Sequence, residues 1–295
     1  MWVADAMVPS QLGDRIMSIR RILVSLNETA NNDAVIGTAS VLTREFDASV
    51  TGLYVVPAAP AYPEARYEPI PEIFEAHREH FRRRSASVEQ AFTAGFPDTS
   101  PRPRLLIENS DSPLIGDVVM DRGRCFDLVL LSETEMQSER GVELDFVPRV
   151  AVAAGRPVLV VPARAPLVSP PETVVIGWNG SRESARALFD SLPFLERAKR
   201  IHVVWVDPPS DRPRLETWGE DIGGVLDRHG VRATAASVRS CGKTAGEVLW
   251  QTVADTGASL LVIGAYGHSR LSEFILGGVT RTVLRQMKCP VLLSH

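Results

Sequence analysis

Cysteine is scarce in this chain of 295 residues: Cys125, Cys241 and Cys289 stand far apart, with no CxxC pair and no metal-binding spacing. That excludes a disulfide framework and suits a reducing compartment, so the cytoplasm is the expected location. Long apolar runs are missing too, since no stretch approaches the ~18 residues of a membrane helix. Residues 1–19 carry Asp5 and Asp14 without a basic start or an apolar core, and read as an N-terminal extension rather than a signal peptide. A basic excess is absent: formal net charge is −4, and the densest cationic run, Arg82 to Arg84, reads as the solvated face of a helix. Generic nucleic-acid binding needs a positive stripe, so neither nucleic acid nor membrane is expected as a partner. Neither GxSxG nor HExxH occurs, and no catalytic residue and no metal ligand is assigned.

What the chain does contain is one unit written twice. Arg20 to Asn27, RRILVSLN, and Glu172 to Asn179, ETVVIGWN, are short β-branched runs ending in asparagine. A polar turn and a helical stretch follow each, at Ala34 to Phe46 and at Ala185 to Leu192. Second strands come at Ser49 to Val56 and Arg200 to Val206. PLIGDVVMDRGRCFDLVLLS then parallels TAGEVLWQTVADTGASLLVIG, and RPVLVVP parallels CPVLLSH. The offset is 152 at the first strand (27 to 179) and 133 at the last (157 to 290). The 19-residue surplus lies after Val56, where a proline-rich excursion precedes a helix carrying His77 and Arg82. We expect an extension over 1–19, one unit over 20–162 and a second over 172–295, with Pro162 to Glu172 as a stiff proline-rich spacer.

Continuously apolar strands alternating with helices predict an α/β protein: two open parallel sheets, each covered by helices on both faces. Ligands of such sheets sit beyond the carboxyl ends of strands, where strand order reverses. Leu260 to Ile263 is such a strand, and Gly264 ends it. Gly264 and Gly267 can take positive φ and admit a ligand close to the backbone. After nine residues Gly277 and Gly278 precede the helical run VTRTVLRQM. Its first turn, with Val279 and Thr280, offers free N–H groups and the positive dipole end to a phosphate. Four glycines at G-x2-G-x9-G-G between a buried strand and a helix favour phosphate binding over a plain turn. His268 and Arg270 are candidate phosphate ligands, weighed against a role as exposed loop residues.

The run GAYGHSRLSEFILGGVTRTVLRQMKCPVLLSH resembles the signature of the universal stress protein family, and the tandem layout is similar to its two-domain members. VVIGWNGSRES and CPVLL extend the likeness over nearly all of residues 172 to 295, and more weakly over 20 to 162. The resemblance implies, in each unit, a Rossmann-like sandwich of about five parallel strands and four helices of the adenine nucleotide alpha hydrolase-like kind. It implies pairing through the last strand, and ATP or a related adenine nucleotide as ligand, with or without Mg²⁺. Carried across, Gly264, Gly267, Gly277 and Thr280 match the family's nucleotide-binding branch. By position, Gly177, Trp178, Asn179, Trp205, Val206 and Ile263 would surround adenine and ribose. Gly278 stands where that branch has Ser or Thr, which removes one hydroxyl contact and leaves the N–H. Asn179 stands where the family usually has Asp.

In the first copy Ser132 and Glu135 fall at the first two glycine positions, with Leu144 and Asp145 near the last pair. Glu133, Glu135, Glu139, Glu143 and Asp145 crowd the loop, so no triphosphate is expected there. Gly242-Lys243-Thr244 lacks the glycine five residues earlier that a P-loop needs, and reads as a loop entering a helix. His77 and His80, among Glu75, Arg78 and Glu79, read as a solvated helix face. The leading expectation is a nucleotide-responsive stress factor with slow hydrolysis at most. The rivals are a scaffold acting through protein partners or a small apolar ligand, and a nucleotidyl-transfer enzyme using His268. The two copies are expected to pair within the chain through RPVLVV and CPVLL, and a homodimer beyond that is left open.

Overall fold

The computed structural model describes residues 18–59, 71–97, 99, 102–134, 142–209, 217–265 and 278–295. Gly267, His268, Arg270 and Gly277, like Glu135 and Glu139, lie outside the described residues.

The first half runs β1 (Arg21–Ser25), α1 (Asn32–Phe46), β2 (Ser49–Val56), α2 (Pro71–Ala94), β3 (Arg104–Asn109), α3 (Ile115–Gly123), β4 (Leu128–Ser132), α4 (Phe146–Ala153) and β5 (Val158–Val161). The second repeats it as β6 (Thr173–Trp178), α5 (Arg182–Asp190) with its short continuation α6 (Leu192–Leu195), β7 (Arg200–Val206), α7 (Trp218–Arg228), β8 (Thr234–Val238), α8 (Ala245–Thr256), β9 (Leu260–Gly264), α9 (Gly278–Arg285) and β10 (Val291–Ser294). The expected strands fall where the apolar runs place them. The 19-residue surplus shows partly as α2, whose 24 residues compare with 11 in α7.

All ten strands form one sheet in the order β3-β2-β1-β4-β5-β10-β9-β6-β7-β8. Pairing is parallel except at the centre, where β10 meets β5 antiparallel with Leu292 opposite Leu159. That contact gives the last strand of each half a partner and, among the described residues, leaves β3 and β8 as the edges. The central strands are buried along their length, while β8 is exposed at most of its positions. α3 packs on α4 and α8 on α9 over one face; α1, α2, α5 and α7 cover the other. On that second face the halves lock together: Phe46 of α1 meets Phe194 of α6 edge to face at 5.3 Å, and Arg197 bridges Glu45 at 2.8 Å.

The connecting segment 162–172 holds neither helix nor strand, but it is not a free spacer. Leu167 is buried at its middle, and its N–H donates to Thr38 Oγ1 of α1 at 3.1 Å. Among the described residues no helix is long and apolar enough to cross a membrane.

Candidate functional site

Strand order reverses between β6 and β9, where the two neighbours lead to opposite sides of the sheet. An open cleft lies there, where ligands of such sheets are expected. Its floor is Gly177 of β6 and Ile263 and Gly264 of β9; Trp178, Asn179 and Val206 stand around it, and Gly278, Val279 and Thr280 form its rim. The structure thus brings together nine of the residues singled out from sequence.

Bare glycines make the floor. A methyl carbon on Gly177 would lie 2.9 Å from Leu249 Cδ1 and 3.0 Å from Ile263 Cγ2. On Gly264 it would lie 2.5 Å from the Glu183 carbonyl carbon and the Ser184 nitrogen, so α5 starts directly against that residue. Gly264 is therefore glycine for helix–strand contact. It is not among the glycines of positive φ, so the turn conformation expected for it is not the reason. Gly278 has nothing within 4 Å of that position, and a side chain there would meet open space.

Trp205 departs from the sequence reading. It is absent from the cleft lining, and its indole is buried against Gly180 and meets Trp218 of α7 at 5.3 Å. Strand side chains alternate, so Val204 and Val206 face the cleft and Trp205 faces the opposite layer. Ser181, Ser184, Val204, Ala245 and Leu249 also line the cleft and were not singled out. Ser181 and Ser184 carried a signal, the S-x-x-S of an N-cap: Ser181 Oγ accepts the Ser184 N–H at 3.1 Å and caps α5. Val204 follows from the same alternation that removes Trp205.

Three helix starts converge on the cleft. Asn179 Oδ1 accepts the Ser181 N–H at 3.1 Å, fixing the turn into α5. Thr244 and Glu247 form a reciprocal capping box at α8, which assigns Gly242-Lys243-Thr244 to a helix entrance. Gly246 lets α8 touch α9, since a methyl carbon there would lie 2.8 Å from Thr282 Cβ. The described part of α9 begins at Gly278, and the N–H groups of a helix's first turn lack intrahelical partners. Next to Gly264, Glu183 is buried. Burial alone would raise its pKa, but bonds from the Arg182 guanidinium, its own N–H and the Ser181 hydroxyl hold it below the usual carboxylate range.

The matching crevice between β1 and β4 is occupied by the chain itself. Asn27 exchanges two hydrogen bonds with the Val55 backbone, at 2.8 and 2.9 Å. Glu28 is buried and accepts the Val142 N–H at 3.1 Å, while Arg84 of α2 donates to Thr29 Oγ1 at 2.7 Å. Glu143 accepts the Ile115 and Gly116 N–H groups at 3.2 and 2.7 Å, so a carboxylate already sits on the start of α3. Arg149 binds both Glu143 and Asp117. His77 and His80 are half-buried rather than solvated: His77 packs 5.1 Å from Phe81, and His80 lies 3.4 Å from Arg84.

Residues 170–295 match the family model described as the universal stress protein family. A universal stress protein of Mycobacterium tuberculosis is 30% identical over 141 residues, 41% of this chain and 47% of that protein. One from Synechocystis is 26% identical over 182 residues, 60% of each. The chain thus spans about half to three fifths of the curated relatives it matches. A universal stress protein structure from Archaeoglobus fulgidus superposes with a TM-score of 0.67 at 13% identity, covering 93% of this chain and 97% of that one. At that identity the likeness carries the fold alone, an adenine nucleotide alpha hydrolase-like sandwich along nearly the whole chain.

Proposed function

The chain belongs to the universal stress protein family, and on that footing we propose that its second half binds ATP or a related adenine nucleotide. One observation carries the reading: the cleft at the β6/β9 reversal has a floor of bare glycine and a rim made by the first turn of α9. The base and ribose would lie along Gly177, Trp178, Asn179 and Val206, with the phosphates over Gly278, Val279 and Thr280. Free N–H groups at a helix start and the positive end of its dipole suit a phosphate. Gly267, His268, Arg270 and Gly277 belong to this proposal through their sequence spacing. Among the described residues no group of three or more His, Cys, Asp or Glu side chains is placed to hold a metal ion.

We read residues 20–162 and 172–295 as tandem domains joined through β5 and β10, the second binding and the first not. The protein would serve as a cytoplasmic, nucleotide-responsive stress factor rather than a fast enzyme. Calorimetry on the full chain with ATP, ADP and AMP, with and without Mg²⁺, tests the ligand. Saturable binding that Gly177→Val lowers at least tenfold supports the site. No heat at millimolar nucleotide, or binding indifferent to Gly177→Val in a folded variant, would overturn it.

A further inference from the structure

A second cavity opens on the face that carries α4 and α9, at the seam where the two halves meet. It is open to solvent, and its lining draws on both halves of the chain. Val147 and Pro148 of α4, Val160 of β5, Leu284 of α9 and Met287 just beyond that helix give it apolar walls. Arg281 and Arg285 add two cations. They are four residues apart and therefore share one side of the helix. Both are exposed, and neither enters a salt bridge among the described residues. Glu133, the acid in the lining, is already engaged, its Oε1 accepting the Ala163 N–H at 2.8 Å. Thr134 Oγ1, also in the lining, is buried and has no hydrogen-bond partner among the described residues. Leu144 also lines it and is 75% exposed.

The cause of the gap is visible in the packing. On the opposite face Phe46, Phe194 and Arg197 close the seam between the halves. Here α4 and α9 are both short, eight residues each, and each packs mainly on its own neighbour, α3 or α8.

We propose that this seam is a second ligand site, for a slim amphiphile with an aliphatic body and an anionic head. The body would lie along Val147, Val160, Leu284 and Met287, with Leu144 over its outer end. The head would pair with Arg281 and Arg285, whose guanidinium groups suit a carboxylate or a phosphate, and Thr134 would supply the remaining hydrogen bond. The inference stands apart from nucleotide binding, because no residue is common to the two cavities.

Straight-chain carboxylates below their micelle concentration test it by calorimetry on the full chain. Octanoate, decanoate and dodecanoate are expected to bind one per chain, with affinity rising about fourfold per methylene. Dodecyltrimethylammonium, of like body and opposite charge, is expected to bind at least tenfold more weakly than dodecanoate. Arg281→Glu and Arg285→Glu should each cost dodecanoate at least tenfold. Leu144→Glu, at an exposed rim position where folding is not at stake, should cost about threefold to tenfold. Equal binding of the two head groups, no dependence on chain length, or indifference to Leu144→Glu and Arg285→Glu would overturn the site. Displacement of dodecanoate by ATP would place it in the β6/β9 cleft and overturn it as well.

Discussion

At the end of β6 the chain turns through Asn179, Gly180 and Ser181 and leaves open space; at the end of β1 the matching Asn27, Glu28 and Thr29 are all engaged. The two crevices occupy the same place in the same topology, each at a reversal of strand order. They differ in how their helix starts are satisfied. α8 caps itself within four residues, through Thr244 and Glu247. α3 begins after Leu114, which has no capping oxygen, and takes its acceptor from Glu143, 27 residues away from Gly116. A helix that caps itself leaves its surroundings free for a ligand, whereas one capped from afar has an internal anion in that place. The difference turns on a few side chains and not on the fold.

The largest effect expected from breaking this comparison is at Gly264. Gly264→Val sets carbon against the backbone of α5, and overpacking of this kind costs about 3 kcal/mol at its upper end. Urea unfolding should register that loss. The wild-type first half already carries Ser132 at the matching place. Next comes Glu143→Ala, which removes the acceptor from two N–H groups and leaves Arg149 with Asp117 and Asp145. Lost caps cost about 1–2 kcal/mol, so a matching fall in unfolding free energy is expected. Glu247→Ala is the parallel change in the second half.

Gly278→Ser sharpens the comparison in the other direction. Nothing lies within 4 Å of the added carbon, so the fold should not suffer. A hydroxyl bonded to a charged phosphate contributes about 1.5 kcal/mol or more, and calorimetry should find ATP bound roughly tenfold tighter. An unchanged affinity would mean that the phosphates lie elsewhere.

The smallest expected effect is a pH dependence. Asp117 is held below the usual carboxylate range, first by the Ser112 hydroxyl and then by Arg149, against the opposing effect of burial. A depressed folded pKa stabilises above the unfolded value, near about 3.9, and that stability is lost as pH falls through the folded value. Glu247, at the matching position, is lowered by the N–H and hydroxyl of Thr244. Asp117→Asn and Glu247→Gln should therefore each lower the neutral plateau of a stability–pH curve and flatten its acid limb, because the stabilisation they remove is present at neutral pH and absent in acid.

Much of the second crevice was legible in the chain because its parts lie close in sequence and obey short periods. A buried strand, a glycine at its end and a helix start are local patterns, so Ile263, Gly264, Val279 and Thr280 could be named before any contact was known. A count along the strand places Trp205 at its end without fixing its face. Period-two alternation decides that, and the partner Trp218 lies in another helix. The acidic loop of the first half was read as repulsion for phosphate. The fate of Glu143 could not be read, since its partners are the N–H groups of Ile115 and Gly116 across the fold.

The sequence by itself determined the duplication, the strand positions and the contrast between a glycine loop and an acidic one, because each is a matter of residue type and spacing. Only the tertiary structure decided that α5 rests on Gly264, that Leu167 pins the connecting segment to α1, and that α4 and α9 leave a seam open above β5. Those are contacts between segments far apart in the chain, and their geometry is set by how helices of given length cover a shared sheet.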